Sequence, residues 1–291
     1  MFIATLIADG LAAGDLSSAA DRLAVAGCAP GAWRRLDAGR AADLEFAQDP
    51  LAARGALEGA FAGTDVVVQP ARGRAKKLLV ADMDSTMITV ECIDELADYA
   101  GIKPQIAEVT ERAMKGELDF AAALDARVAL LAGLEEGAID RCLAERVRLS
   151  PGAETLVRTM RGRGALTVLV SGGFTRFAEP VGEMLGFERV IANRLVIAEG
   201  RLDGTVGKPI VDSATKETTL LAAAAERGLE PAETLAVGDG ANDLAMIRRA
   251  GLGVAYRAKP IVAAAAGARI DHNGLTALLH AQGIPRSEWV R

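Results

Sequence analysis

Apolar runs and helically spaced segments alternate along the chain, and the character of that alternation changes twice. Over residues 1–69 an apolar run, FIATLIA, gives way to SSAADRLAVAG, whose apolar positions recur at helical spacing. WRRLD and ADLEFA then read as short strands, PLAARGALEGAF as a helix and TDVVVQP as a closing strand. The resulting order, βαββαβ, is that of a split βαβ unit. From Leu78 an apolar strand, LLVA, leads into ADMD, but residues 92–150 carry no strong strand signal. Their periodicity is helical, as in ECIDELADYAG, DFAAALDARVALLAG and AIDRCLAERV. Beyond Pro151 the two patterns alternate. The helices are ETLVRTMRGRG, FTRFAEPVGEML, KETTLLAAAAERGL and ANDLAMIRRAG; the strands are ALTVLVSGG, a pair within FERVIANRLVIAEG, TLAVGDG and LGVAYRA. This predicts an α/β unit with a doubly wound parallel sheet covered by helices on both faces.

Three parts follow from these changes: an N-terminal α+β unit over 1–70, a linker over 71–77, and a core over 78–291 whose helical segment, about 92–150, is inserted above the first core strand. The linker ARGRAKK is strongly basic, and the reading adopted for it is a solvated connection rather than a membrane or RNA patch.

Composition narrows the function classes. A net charge of −6, with no broad basic field and only 4% aromatic residues, argues against nucleic acid as a partner. No stretch approaches the roughly 18 apolar residues of a membrane helix, and MFIATLIADG lacks a basic leader and reads as a strand. Cys28, Cys92 and Cys142 are widely spaced, form no CxxC pair and leave one over, which favours a reducing, cytoplasmic setting over a disulfide framework. His272 and His280 read as exposed or satisfied side chains rather than as ligands.

The candidate chemistry lies at three strand ends: VADMDST, VLVSGG and LAVGDGAND. In open parallel sheets ligands bind beyond the carboxyl ends of the strands, so all three should converge on one crevice. In extended chain residues i and i+2 share a face, which would put Asp82 and Asp84 side by side. Two such carboxylates either retain a proton or hold a cation; alone, the pair could equally be an acidic turn that caps the next helix. GTVGKP is not a phosphate-binding P-loop, because its spacing puts Leu202 where the first glycine belongs and Pro209 where Ser or Thr belongs.

Taken together and in order, Asp82-Met83-Asp84-Ser85-Thr86, Ser171-Gly172-Gly173, Lys216 and Gly238-Asp239-Gly240-Ala241-Asn242-Asp243 resemble the four motifs of haloacid dehalogenase (HAD) superfamily phosphatases, and within them the phosphoserine phosphatases. The resemblance spans residues 78–243. It implies a HAD-like Rossmannoid core with a helical cap, and a Mg2+-dependent hydrolysis of O-phospho-L-serine to L-serine and phosphate, the last step of L-serine biosynthesis. The N-terminal unit is similar to a ferredoxin-like domain of the ACT type; such domains pair through sheet edges, which leaves a homodimer open.

The resemblance also assigns roles. Asp82 would be the nucleophile that forms an aspartyl-phosphate, and Asp84 the general acid and base. Asp82, the backbone carbonyl of Asp84, and Asp239 would ligate the metal, with Asp243 behind them orienting Lys216 or a metal-bound water. Ser171, Gly172, Lys216 and Asn242 would bind the phosphoryl group. Glu91 would take the substrate's ammonium, and Arg127, in the pattern Phe120, Leu124, Arg127, Val128, its carboxylate; outside that context each would read as a surface ion-pair residue. The alternatives are another small-molecule HAD phosphomonoesterase or phosphotransferase, or a non-catalytic amino-acid sensor.

Overall fold

The computed structural model describes residues 1–114 and 117–290. The N-terminal unit consists of β1 (Phe2–Ala8), α1 (Ala13–Val25), β2 (Pro30–Asp37), β3 (Ala41–Phe46), α2 (Pro50–Leu57) and β4 (Thr64–Pro70). Its four strands form one antiparallel sheet in the order β2-β3-β1-β4, as the split βαβ pattern and an ACT-type domain require. Side chains alternate across a strand, and β1 uses both faces. Ala4, Leu6 and Ala8 pack among Leu16 and Leu23 of α1 and Leu57 of α2, while Ile7 joins Ala41 and Val67 in the main core of the molecule. Only the edge strand β2 stays largely open to solvent.

The core opens with β5 (Leu78–Ala81), followed by four cap helices, α3 (Cys92–Tyr99), α4 (Lys103–Met114), α5 (Phe120–Ala129) and α6 (Gly137–Arg146). The alternation resumes with α7 (Ala153–Gly162), β6 (Leu166–Phe174), α8 (Thr175–Leu185), β7 (Arg189–Asn193), β8 (Leu195–Ala198), β9 (Arg201–Val206) and α9 (Ser213–Glu226). It closes with β10 (Thr234–Gly238), α10 (Leu244–Arg249), β11 (Leu252–Tyr256), α11 (Pro260–Ala265), β12 (Ala268–Ile270) and α12 (Ala277–Ala281). Six strands make a parallel sheet in the order β12-β11-β10-β5-β6-β7. All four residues of β5 are buried, as a strand at the centre of a two-sided sheet must be. The chain leaves β5 towards β6 on one side and returns to β10 on the other, so the strand order reverses there and opens a crevice at their carboxyl ends.

Two sequence expectations need correction. FERVIANRLVIAEG does not form a strand pair with itself: β7 joins the parallel sheet, whereas β8 pairs antiparallel with β9 outside it. The turn between them is Glu199-Gly200, both with positive φ, 50° and 72°, the geometry of a tight two-residue hairpin. The linker is also only partly solvated: Arg72, Ala75 and Lys77 are exposed, but its other two basic residues are not. Arg74 and Lys76 are 7% and 8% exposed, and Arg74 uses every nitrogen of its guanidinium. Nε donates to Ala281 O (2.7 Å), Nη1 to Asp43 Oδ2 (2.6 Å), and Nη2 to Thr5 Oγ1 (2.9 Å) and His280 O (3.0 Å). A basic run reads as solvated because its acceptors, on β1, β3 and α12, are far away in sequence. Asp65 of β4 tightens the same seam by accepting backbone N–H groups from Asp271, His272 and Asn273. Among the described residues no helix is long and apolar enough to cross a membrane.

Since Arg74 and Asp43 are both buried, removing Arg74 leaves the Asp43 carboxylate with only the largely exposed Arg34 (3.2 Å) as counter-charge, a loss of about 3 kcal/mol, the low end for a broken buried pair. Arg74→Ala should lower the unfolding free energy by that order in urea titrations, and Asp43→Leu combined with Arg74→Met should recover part of it. A single variant as stable as wild type would mean the pair contributes nothing across the seam.

Candidate active site

Asp82 follows directly on β5, its N–H donating to Val237 O of β10 (3.0 Å). Its side chain is buried, and one oxygen carries two donors: Oδ1 accepts from Met83 N (2.8 Å) and from Lys216 Nζ (2.6 Å). The chain then turns sharply, with Ser85 at φ 53°, and Asp84 Oδ1 accepts from Cys92 N (3.1 Å) in the first turn of α3. The second strand end supplies Ser171, whose Oγ accepts from Gly173 N (2.9 Å). A Cβ on Gly173 would lie 2.8 Å from Asp84 Oδ2 and 3.1 Å from both Met83 Cε and Ser171 Oγ, so a side chain there would displace residues of the site; one on Gly172 would press more lightly, 3.2 Å from the Phe120 ring. The third strand end supplies Asp239, which accepts a hydrogen bond from Thr86 Oγ1 (2.9 Å).

These ends meet at one cleft of about 280 Å³. Of the residues singled out in the sequence, Asp82, Asp84, Glu91, Arg127, Ser171, Gly172, Asp239 and Asn242 line it. Lys216 and Asp243 do not. Lys216 has no exposed surface and is held 2.6 Å from both Asp82 and Asp243. Its ammonium lies directly behind the Asp82 carboxylate, at the end of the cleft where the resemblance places the phosphoryl group. Asp243 is saturated from within the protein, Oδ1 by Lys216 and Oδ2 by the N–H groups of Asp239 and Gly240 (3.1 and 3.0 Å).

Burial and the Asp243 carboxylate push Asp82 upward, against the opposing Lys216 ammonium. Burial would depress Lys216, but Asp82 and Asp243 outweigh it and hold it above its usual range. Asp84 rises to about 7 through burial and the nearby Glu91, with the Cys92 N–H opposing. Asp239 rises to about 6, burial again leading and the Thr86 hydroxyl opposing. At the cap side Glu91 accepts from Ser85 Oγ (2.6 Å). The Arg127 guanidinium bonds only its own helix carbonyl, Ala123 O (3.2 Å), and makes no ion pair among the described residues.

Carboxylate oxygens of Asp82, Asp239 and Asp243 lie within 4.8 Å of one another. An all-oxygen set of this charge fits a hard divalent cation. The hydrogen bonds already taken by Asp243 leave Asp82 and Asp239 as the carboxylates with capacity to ligate it.

Sequence reasoning missed Lys259 and Asn193. Lys259 lines the cleft, and its N–H donates to Asp239 O (3.1 Å). Asn193 holds Gly172 from behind. Both follow ends of predicted strands, LGVAYRA and FERVIAN, so the rule that gathered the three motifs would have gathered them too.

The fold and this site define an α/β protein with a carboxylate-rich cleft at the strand ends of its parallel sheet, and comparison with known proteins gives the family. Residues 79–248 match the model of haloacid dehalogenase-like hydrolases, and the chain belongs to that family. It is 47% identical over 233 residues to a phosphoserine phosphatase of Streptomyces coelicolor, covering 79% of this chain and 57% of that protein. It is 44% identical to one of Albidiferax ferrireducens, covering 72% and 91% respectively. The crystal structure of a probable phosphoserine phosphatase from Vibrio cholerae superposes with a TM-score of 0.76 at 34% identity, over 97% of this chain and 88% of that one. The chain spans about half to two thirds of the length of the first curated relatives it matches.

Asp84 and Asp239 both titrate above the roughly 3.9 of an unfolded aspartate. Their contribution to stability is therefore complete below about pH 4 and is lost as pH rises through about 6 and 7. In chelated buffer, Asp84→Asn and Asp239→Asn should gain stability relative to wild type between pH 4 and pH 8. Denaturation midpoints that stay parallel over that range would show that burial does not strain these carboxyls.

Proposed function

We propose that the protein is a Mg2+-dependent phosphoserine phosphatase, hydrolysing O-phospho-L-serine to L-serine and phosphate. The observation that carries this reading is the polarity of the cleft. One end holds Asp82, Asp84, Ser171 and Asp239, and the cap end holds a carboxylate, Glu91, and a guanidinium, Arg127, with no ion pair among the described residues. A substrate with a phosphoryl group at one end and an ammonium and a carboxylate at the other matches both. The names of the relatives support the same substrate.

In this mechanism Asp82 attacks phosphorus through Oδ2, since Oδ1 is occupied by Lys216 and Met83 N. The bond from phosphorus to the seryl oxygen breaks, and Asp84 gives that oxygen its proton, a task suited to a carboxyl raised to about 7. Water then attacks the aspartyl-phosphate, passes its proton to Asp84, and phosphate leaves with the Asp82 carboxylate restored. Ser171 Oγ and the loop amides hold the equatorial oxygens, and Lys216 fixes the rotamer and charge of Asp82. Mg2+, held by Asp82 and Asp239, would neutralise charge on the phosphoryl oxygens. Three buried, free thiols, Cys28, Cys92 and Cys142, support a reducing cytoplasmic setting.

Phosphate release from a panel of monoesters, with and without Mg2+, tests the assignment. Phosphoserine should be the preferred substrate, chelation should silence the reaction and Mg2+ restore it; Asp82→Asn should abolish turnover in a folded protein. An Asp82→Asn protein that turns over normally would remove the nucleophile from the mechanism. Arg127→Ala should cost phosphoserine about 2–5 kcal/mol in kcat/KM, as for a buried charge that loses its partner, and should affect an aryl phosphate far less. Equal losses on both substrates would make Arg127 structural rather than selective.

A further inference from the structure

The ladder between β6 and β7 pairs Val168 with Arg189, Leu169 with Val190 and Val170 with Ile191, then resumes only at Phe174 and Asn193. β6 thus places three residues, Ser171, Gly172 and Gly173, opposite the single Ala192 of β7. Bulges of this kind release backbone groups from the ladder and re-aim side chains; here the released residues line the cleft. A peptide between two glycines has little intrinsic resistance to rotation, so its orientation has to be imposed from outside.

Asn193, 1% exposed, imposes it. Its Nδ2 donates to Gly172 O (2.8 Å), while Gly173 N, at the opposite side of the same peptide, donates to Ser171 Oγ (2.9 Å). In a planar trans peptide the C=O and N–H point in opposite directions, so holding the carbonyl from behind presents the N–H to the Ser171 hydroxyl. The same carboxamide also grips Val211: Oδ1 accepts from Val211 N (2.7 Å) and Nδ2 donates to Val211 O (3.3 Å). Val211 precedes Asp212, whose side chain caps α9 through Thr215 N (2.8 Å), and Lys216 follows in the first turn. Every hydrogen bond of this side chain therefore goes to one of two segments, and each of those carries a residue of the site.

We propose that Asn193 is a positioning residue: its carboxamide fixes the Gly172–Gly173 peptide and ties it to the start of α9, so that the phosphate-binding loop and Lys216 are held in register. It does this without lining the cleft. The proposal rests on the phosphatase reading for its functional consequence, but its structural content does not.

The test uses the full chain as wild type, Asn193→Ala and the near-isosteric Asn193→Asp, which keeps the acceptor for Val211 N but sets a carboxylate against two carbonyls. Without any ligand, the amides of Gly173 and Val211 should exchange with deuterium about tenfold faster in Asn193→Ala, and in Asn193→Asp the acceleration should be greater at Gly173 than at Val211. With Mg2+ present, affinity for inorganic phosphate should fall about tenfold in both variants while each still unfolds in a single cooperative transition. A folded variant with wild-type exchange at Gly173 and wild-type phosphate affinity would overturn the proposal. Should neither variant fold, wild type decides: inorganic phosphate should slow exchange in 169–174 and 210–216 together, and slowing confined to one segment overturns the coupling. Failure of wild type to hydrolyse phosphoserine would count against the proposed function alone, since the ligand-free exchange of the variants is read independently of it.

Discussion

An ammonium with no exposed surface, held at 2.6 Å between the Asp82 and Asp243 carboxylates, is the contact from which the arrangement of the site follows. Burying an isolated ion costs several kcal/mol, which close opposite charges offset. Lys216 has two of them, and so joins three elements: the end of β5 through Asp82, the turn after β10 through Asp243, and α9 through its own backbone. Those elements bound the point where the strand order reverses. Asp243 in turn spends its second oxygen on the N–H groups of Asp239 and Gly240, so the lysine indirectly sets the carboxylate on the other side of the crevice as well.

The charge that remains determines what the site can accept. Five carboxylates, on Asp82, Asp84, Glu91, Asp239 and Asp243, face three cations, on Lys216, Arg127 and Lys259. Three of the five are raised above the usual carboxylate range, Asp82, Asp84 to about 7 and Asp239 to about 6. A divalent cation would relieve the excess of negative charge, and a phosphoryl dianion could enter only with that cation present. At Asp84 burial and the Glu91 carboxylate outweigh the Cys92 N–H and Lys216. Asp82 is the carboxylate in direct contact with the ammonium, which opposes the upward push of burial and Asp243.

The site was legible in the sequence to the extent that its residues sit within two or three positions of a strand end. The parallel core, the cap and the βαββαβ unit were legible because each depends on local periodicity. What periodicity could not show were contacts made at long range. Arg74 and Lys76 read as solvated because their acceptors come from β1, β3, α12 and the loop before β10. β9 was missed because RLDGTV alternates over only a few residues and its partner was sought upstream. The buried bridge from Lys216 to Asp82 and Asp243 was invisible for a related reason: its partners lie 134 and 27 positions away in sequence.

The buried seam bears on how the N-terminal unit can act. A domain on a solvated tether can move freely and communicate only by collision or occlusion. Here the sheet face carrying Thr5, Ile7 and Val67 is closed against the core, and Asp65 caps the backbone that follows β12. The strand β12 belongs to the same parallel sheet as β10 and β5. Any displacement of β4 is therefore loaded onto the edge of the sheet whose centre holds Asp82 and Asp239. Close-packed layers transmit such strain rather than absorbing it. The N-terminal unit is in this sense part of the rigid frame of the cleft.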